Sequence, residues 1–271
     1  MMSNANSESP DETARSIPSE IKRKVRQECG FGCAICGSPV FHYDHIEEFS
    51  VVRAHDAKNI VLLCEQHHAA KTTGKLSKNR VKEAKVNPFN SNRNNTGSYK
   101  IESAREIAIS IGGNRASTRF DGDGHYVILS ISRRFAFVLR CIDSWMTISF
   151  VITDAMGQPM LIVKEGELSV STMVWDYEYV GNRLKIRTEL GQVYADIVLS
   201  DTEVAINRGH VVVGRLHCAI QENMMVVYCD DDVRAILANC SSSLNEIGAF
   251  EFYDQQVTTA IGGFGWSQGI P

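Results

Sequence analysis

Two pairs of metal-binding side chains lie in the first third of the chain, and two residues separate the members of each pair. The pairs are Cys33 with Cys36 and Cys64 with His67. This spacing lets both members of a pair reach one ion, at about 2.3 Å for sulfur and about 2.0 Å for nitrogen. The four residues therefore predict a tetrahedral, structural Zn²⁺ site in a segment too small to build a stable core by itself.

A second set of polar residues lies between these pairs and directly after them. Asp44 and His45 are adjacent within an aromatic and apolar run. Asn59 follows them, and His68 comes directly after the last zinc ligand. His45, Asn59 and His68 form an H-x13-N-x8-H frame. Because the zinc site does not need His68, this set indicates a second kind of chemistry.

Together the two sets resemble the zinc-containing branch of the HNH (ββα-metal) endonucleases. The pattern of that branch is C-x2-C, D/E-H, N, L-C-x2-C/H-H and a trailing K-T. The resemblance extends over about residues 20–90 and departs from the commonest form at His67, where a cysteine often stands. It implies a two-stranded hairpin and a helix wrapped around one catalytic metal ion, and hydrolysis of DNA phosphodiester bonds.

The resemblance also implies a role for each residue of the frame. His45 would be the general base that activates water, and Asn59 would brace the loop so that His45 points at the phosphate. Asp44 and His68 would hold the catalytic cation, Mg²⁺ or Mn²⁺. That cation would bind the scissile phosphate and the leaving oxygen.

Basic residues near the frame are candidates for contact with substrate. Arg53, His55 and Lys71 are each expected either to contact phosphate or to lie on a solvated surface. The same two alternatives apply to the basic face of a predicted first helix, which carries Lys22, Arg23, Lys24 and Arg26. Residues 20–100 hold 14 Lys+Arg against 8 Asp+Glu, although the net charge of the chain is −4. A basic segment suits a part that must approach phosphates.

Short elements must position these residues. Pro18, a one-turn apolar spacing and Gly30 predict a helix over about residues 18–29. The following elements are a strand at 39–46, a loop at 47–58, a strand at 60–63, a helix at 64–72 and a helix at 75–86.

From about residue 101 the pattern changes to short β-favouring runs separated by Gly, Asn or Asp turns. This predicts an all-β domain of ten or more strands, a sandwich first and a β-solenoid as the alternative. Its three histidines, His125, His210 and His217, lack ligand-like spacing and are expected to have no special role. Because residues 101–271 hold 13 Lys+Arg against 21 Asp+Glu, a protein partner or a homo-oligomer fits this domain better than DNA.

The predicted fold class is α+β. It comprises a disordered tail at 1–16, an HNH nuclease domain at 17–87, a linker at 88–100 and an all-β sensor, partner or oligomerisation domain at 101–271. The N-terminal residues lack the apolar segment of a signal peptide, and no window reaches the ~18 apolar residues of a membrane span. We therefore expect a cytoplasmic protein that does not contact a membrane, with its eight cysteines serving as metal ligands and buried thiols.

The predicted function is that of a metal-dependent HNH endonuclease acting on DNA. By analogy of architecture, it would be a bacterial restriction or antiviral defence effector whose second domain binds a partner or a signal. The alternative is a catalytically silent, zinc-stabilised module that binds DNA or another protein.

Overall fold

The chain divides into two compact units, Met1–Arg93 and Asn94–Pro271. A computed structural model describes residues 16–102, 104–118, 122–244, 249–253 and 264–266. The tail predicted at 1–16 lies outside the described residues, apart from Ser16. The division between the units falls inside the segment predicted as a linker. Few residues are helical, and the second unit is a large β-rich region.

The described part of the first unit contains a hairpin and several short helices. In chain order these are α1 (Ser19–Glu28), β1 (His42–His45), α2 (Phe49–Val52), a 3-10 turn (Ala57–Asn59), β2 (Ile60–Leu63), α3 (Glu65–Thr72) and α4 (Lys78–Val86). Each predicted helix and strand of this part forms, and the predicted loop at 47–58 contains α2 and the 3-10 turn. β1 is shorter than predicted because its antiparallel partner β2 is only four residues long, pairing His42 with Leu63 and His45 with Ile60.

The core of the first unit is built around β2. All four residues of this strand are completely buried, so both of its faces are covered by protein. This explains why its sequence is a continuous apolar run without alternation. The helices contribute the buried residues Val25 and Cys29 from the end of α1 and Val81 and Ala84 from α4.

Arg26 does not belong to an exposed basic face of α1. Its side chain is only 5% exposed. Its guanidinium donates a hydrogen bond to the hydroxyl of Tyr43 on β1 at 2.6 Å. The basic residues of α1 that remain to meet solvent or phosphate are therefore Lys22, Arg23 and Lys24. Lys22 Nζ lies 5.7 Å from the centroid of the Tyr43 ring.

The beginning of the predicted linker packs onto the first unit. Asn90 is 1% exposed. Its amide donates to the carbonyls of Gly30 at 3.0 Å and Gly37 at 3.1 Å. These bonds join the two loops that flank the first cysteine pair. A Cβ on Gly32 would lie 2.3 Å from the Gly37 carbonyl oxygen, so only glycine fits there.

The second unit is formed by strands joined mostly by tight turns. The strands are β3 (Tyr99–Lys100), β4 (Ala108–Ile111), β5 (Asn114–Thr118), β6 (Gly124–Ile131), β7 (Arg134–Ile142), β8 (Trp145–Thr153), β9 (Pro159–Lys164), β10 (Glu167–Val170), β11 (Asp176–Val180), β12 (Arg183–Glu189), β13 (Gln192–Leu199), β14 (Glu203–Val213), β15 (Leu216–Gln221), β16 (Met224–Cys229), β17 (Asp232–Ala238), β18 (Ser241–Leu244), β19 (Phe250–Phe252) and β20 (Phe264–Trp266).

These strands form an eight-stranded and a ten-stranded sheet. The first has the order β20-β19-β6-β7-β8-β9-β10-β3, and the second runs from β11 to β17 in sequence, with β4, β5 and β18 paired at its side. From β6 to β10 and from β11 to β17, each strand pairs antiparallel with the next, whereas β19 pairs parallel with both β6 and β20. A solenoid instead stacks successive coils in parallel throughout. The solenoid alternative is therefore wrong for the described residues, and the all-β character of this part is confirmed.

The two sheets meet where β8 ends and β14 passes. The Thr153 hydroxyl accepts a hydrogen bond from the backbone N–H of Val212 at 3.0 Å. The Tyr194 hydroxyl donates to the Thr153 carbonyl at 3.0 Å. Among the described residues, no helix is long and apolar enough to cross a membrane.

Candidate metal centre and active site

Three cysteines and one histidine converge in the first unit. The ligand atoms of Cys33, Cys36, Cys64 and His67 all lie within 4.8 Å of one another. Cys33 and Cys36 precede β1, whereas Cys64 is the N-cap of α3 and His67 lies in its first turn. The end of the buried strand β2 therefore brings the second pair to the loop that carries the first.

The distances within this cluster fit tetrahedral zinc. Two sulfurs at about 2.3 Å from one zinc ion and at the tetrahedral angle lie about 3.8 Å apart, and a sulfur and a nitrogen about 3.5 Å apart. The Cys36 and Cys64 sulfurs are 3.8 Å apart. His67 Nδ1 lies 3.5 Å from the Cys33 sulfur and 3.2 Å from that of Cys64. The predicted zinc ligands are thus brought together with His67 offering Nδ1.

The Cys33 thiol differs from that of the nearby Cys29. Hydrogen bonds from the thiols of Cys36 and Cys64 lower the pKa of Cys33, which favours the thiolate that a metal needs. Burial instead raises the pKa of Cys29. Cys29 is completely buried in the core and lies outside the cluster, so it serves as a packing residue.

The hairpin and α3 bring Asp44 and His68 together. Asp44 lies on β1 and is 9% exposed. Its Oδ1 is 3.4 Å from Nε2 of His68 on α3. Two ligands of one octahedral cation, each at about 2.1 Å, lie about 3.0 Å apart. This pair of donors, a hard carboxylate oxygen and an imidazole, therefore fits a divalent cation after a shift of a few tenths of an ångström.

Lys71 occupies the other oxygen of the same carboxylate. Its Nζ lies 2.7 Å from Asp44 Oδ2 and donates to the His45 carbonyl at 2.6 Å. The side chain is 11% exposed. Lys71 is one helical turn from His68 on α3, so one helix face holds both the imidazole and this ammonium. The ion pair orients Asp44 and leaves Oδ1 directed at His68.

Asn59 holds the chain that follows His45. Its Oδ1 accepts a hydrogen bond from the N–H of Glu47 at 2.8 Å, and its Nδ2 donates to the Glu47 carbonyl at 2.9 Å. The side chain therefore mimics one rung of a β ladder just beyond the hairpin. The carboxylate of Glu47 pairs with Lys82 on α4 at 2.8 Å, which ties the loop to that helix as well.

His45 lies among aromatic and titratable neighbours. Its Nε2 is 3.2 Å from Nδ1 of His55. The ring of Phe49 stacks on His55 with centroids 4.7 Å apart and lies 5.4 Å from the His45 ring. Burial lowers the pKa of His45, His55 and Lys71 lower it further, and Asp44 opposes them. The imidazole is thus favoured in the neutral form that accepts a proton.

The remaining predicted residue, Arg53, stands apart from this network. It ends α2 in the left-handed conformation, with φ 47°, and is exposed. His42 is a residue that sequence reasoning missed. It lies on β1 two positions before Asp44, and its ring centroid is 5.8 Å from that of His68. The two-residue alternation of a strand places His42 and Asp44 on one face. This alternation is the sequence signal that could have identified His42.

Comparison with protein families identifies the segment that holds both sets of residues. Residues 33–74 match the model of the HNH endonucleases, from the first zinc cysteine to just beyond α3. The predicted resemblance is therefore confirmed, and the first unit carries an HNH domain. Neither the curated proteins nor the solved structures contain a match to the chain.

Proposed function

From the HNH domain in the first unit, we propose that the protein is a metal-dependent endonuclease that hydrolyses DNA. One observation carries this proposal. Asp44 and His68 converge next to a metal-ligand cluster that is already complete without them, and His45 directly follows Asp44 in the chain. A structural zinc module has no need for a carboxylate–imidazole pair with a neutral histidine beside it in the chain.

In the proposed reaction, water attacks the scissile phosphorus and His45 takes its proton. The bond between phosphorus and the 3′ oxygen then breaks, and the leaving oxygen takes a proton from solvent. The products would carry a 5′-phosphate and a 3′-hydroxyl. A positioned general base contributes about 10²- to 10⁴-fold to such a rate.

A divalent cation, Mg²⁺ or Mn²⁺, would be held by Asp44 and His68 and would supply positive charge to the phosphate and the leaving oxygen. Lys71 keeps the Asp44 carboxylate oriented through its ion pair at 2.7 Å. Asn59 holds the backbone after His45, which limits the drift of the base. Lys71 and Asn59 thus hold the Asp44 carboxylate and the backbone after His45 in place before any substrate is bound.

Contact with DNA would come from the basic residues of this unit. We assign phosphate contacts to Arg53, which is exposed, and to Lys71, whose ammonium donates to the backbone carbonyl of His45. The basic balance of residues 20–100 supports this assignment, because each neutralised phosphate strengthens binding in a salt-dependent way.

For the second unit we propose the binding of a protein partner or a second copy, with its acidic balance as support. Self-association through strand edges is one way in which such sheets cover their free backbone groups. A role as a cytoplasmic defence or restriction-type effector rests on analogy with nucleases joined to an unrelated domain.

A catalytically silent DNA-binding or protein-interaction module is the second candidate. The observation that favours it is the ion pair of Lys71 with Asp44, because this ammonium already neutralises the carboxylate that a cation needs. The two candidate functions differ in the expected effect of replacing His45. In an endonuclease the replacement removes cleavage, whereas in a silent module it can change only the affinity for DNA.

Plasmid cleavage by the wild type and by His45→Ala, in Mg²⁺, Mn²⁺ or EDTA, tests the proposal. His125→Ala, at an exposed position of β6, is the matched control. We expect metal-dependent nicking that falls by about 100-fold or more in His45→Ala. The control should match the wild type, and elemental analysis should find one zinc per chain in all three. Absence of cleavage by zinc-loaded wild type in every metal, with DNA still bound, would favour the silent module.

A further inference from the structure

The side chain of His55 contacts that of His45, the proposed general base, within the loop that joins β1 to β2. It lies between α2 and the 3-10 turn, ten residues after His45. The closest approach joins Nε2 of His45 to Nδ1 of His55 at 3.2 Å, and the ring centroids are 5.3 Å apart. This is hydrogen-bonding distance between two nitrogens, so one proton lies between the rings.

Phe49 holds this pair in place. Its ring is nearly parallel to that of His55, at 16° and 4.7 Å, and tilted by 55° against that of His45. Stacked and tilted arrangements at these distances are the favoured ones for aromatic rings. His55 and Phe49 are both half-buried, whereas the neighbouring Arg53 is exposed. The contact is therefore a packed one and not a chance meeting of two surface side chains.

The position of the shared proton decides whether His45 can act as a base. A neutral imidazole carries one proton and offers one lone pair. If Nε2 of His45 carries the proton and donates it to His55, then Nδ1 of His45 is free to take a proton from water. If His55 donates instead, the only lone pair of His45 is occupied by that hydrogen bond.

We propose that His55 is a positioning residue that accepts the hydrogen bond from Nε2–H of His45 and thereby leaves Nδ1 of His45 as the basic nitrogen. This inference rests on the proposed nuclease function. This role of His55 takes the place of the two roles predicted from the sequence, which were contact with phosphate and a position on a solvated surface. In many enzymes a third group orients the base in this way, and the tautomer is set by the hydrogen bond that the other ring nitrogen makes.

Three substitutions at position 55 separate this role from packing. In His55→Asn, the amide oxygen takes the place of Nδ1, one bond beyond Cγ, and can accept the same hydrogen bond. In His55→Gln, the amide is one methylene further away. His55→Leu keeps an apolar side chain against Phe49 and removes the acceptor.

We expect kcat for DNA cleavage to fall by about 10- to 100-fold in His55→Leu and His55→Gln. His55→Asn should restore most of the rate. The KM for DNA, the Mg²⁺ concentration for half-maximal activity, the zinc content and Tm should change little in all three. Equal kcat in the wild type and in His55→Leu would overturn the inference, as would a loss in His55→Asn as large as in His55→Leu with Tm unchanged.

A double-mutant cycle shows whether His55 acts through His45. If it does, His45→Ala with His55→Leu should be no slower than His45→Ala alone. A further loss of the same size as in the wild-type background would mean an independent role and contradict the inference. A wild type that cuts nothing would remove the nuclease function itself, which is a different outcome from a nuclease that is indifferent to position 55.

Discussion

At the scale of single residues, Asn59 shows how one side chain can hold the loop next to a candidate active site. Its two hydrogen bonds to the backbone of Glu47, at 2.8 and 2.9 Å, hold the chain beyond His45. Asn59→Ala removes both, and an unpaired backbone group costs about 1–3 kcal/mol. We expect a lower Tm together with a lower kcat, measured by thermal unfolding and plasmid cleavage.

Asn59→Asp and Asn92→Ala are the controls for the Asn59→Ala prediction. The new carboxylate in Asn59→Asp keeps an acceptor for the Glu47 N–H but loses the donor to the Glu47 carbonyl, so an intermediate effect is expected. Asn92 is exposed and should tolerate alanine without change. If Asn59→Ala keeps wild-type Tm and rate, the bracing role is wrong.

The metal ligands and the frame could be predicted from the sequence because metal chemistry restricts both residue type and spacing. The convergence of Asp44 with His68 and of the Cys3His cluster follows from such spacing. The partnership of His45 with His55 could not be read in the same way. It depends on the path of the loop through α2 and the 3-10 turn, and no periodicity encodes that path.

At the scale of elements, the Cys3His cluster joins the loop before β1 to the start of α3. Because the helices and the two-stranded hairpin enclose only a small core, removal of zinc should unfold the first unit. We expect Cys36→Ser to lose zinc and most of its helical circular dichroism at 222 nm. Elemental analysis and the far-ultraviolet spectrum measure the two effects.

Cys29→Ala is the matched control for the zinc prediction. Cys29 is a buried cysteine of the same unit that lies outside the ligand cluster. It should keep one zinc per chain and lose only the modest stability of a filled core position. Zinc loss in Cys29→Ala, or full zinc retention in Cys36→Ser, would contradict the ligand assignment.

The helices and the hairpin were predictable because each has its own local signal. Ser77 accepts a hydrogen bond from the N–H of Arg80 and starts α4, for example. The docking of Asn90 onto Gly30 and Gly37 was not predictable. An Asn-rich segment with Gly and Pro is typical of loops, and composition does not distinguish a packed loop from a free linker.

At the scale of the whole molecule, the two units have different spectroscopic signatures. All three tryptophans, Trp145, Trp175 and Trp266, lie in the second unit. The described helices all lie in the first. We expect a zinc chelator to abolish the 222 nm signal of the helices while the tryptophan fluorescence maximum stays unchanged. A simultaneous change of both signals would mean that the units unfold as one.

The strands of the second unit could be predicted from the sequence, but the contact between two of its histidines could not. Nδ1 of His210 on β14 lies 2.5 Å from Nε2 of His217 on β15. Tyr194 stacks on His210 at 4.7 Å, and the Tyr228 ring lies 5.7 Å from that of His217. Strand register produces this group, and residue spacing alone does not reveal it.

Acid should weaken the second unit through His210, because burial, together with His217 and Arg208, lowers its pKa to about 4. The unfolded chain, with a His pKa of about 6.5, then binds more protons than the folded one between these values, so stability falls as pH drops from about 6.5 towards 4. His210→Phe keeps a ring on Tyr194 and cannot titrate. From pH 7 to 5, we expect Tm, measured by tryptophan fluorescence, to fall less in His210→Phe than in the wild type.

His125→Phe, at an exposed site in the same unit, is the control and should show the same fall in Tm as the wild type. An identical pH dependence in His210→Phe and the wild type would mean that other groups control the acid response, since all remaining titrating residues are common to both proteins.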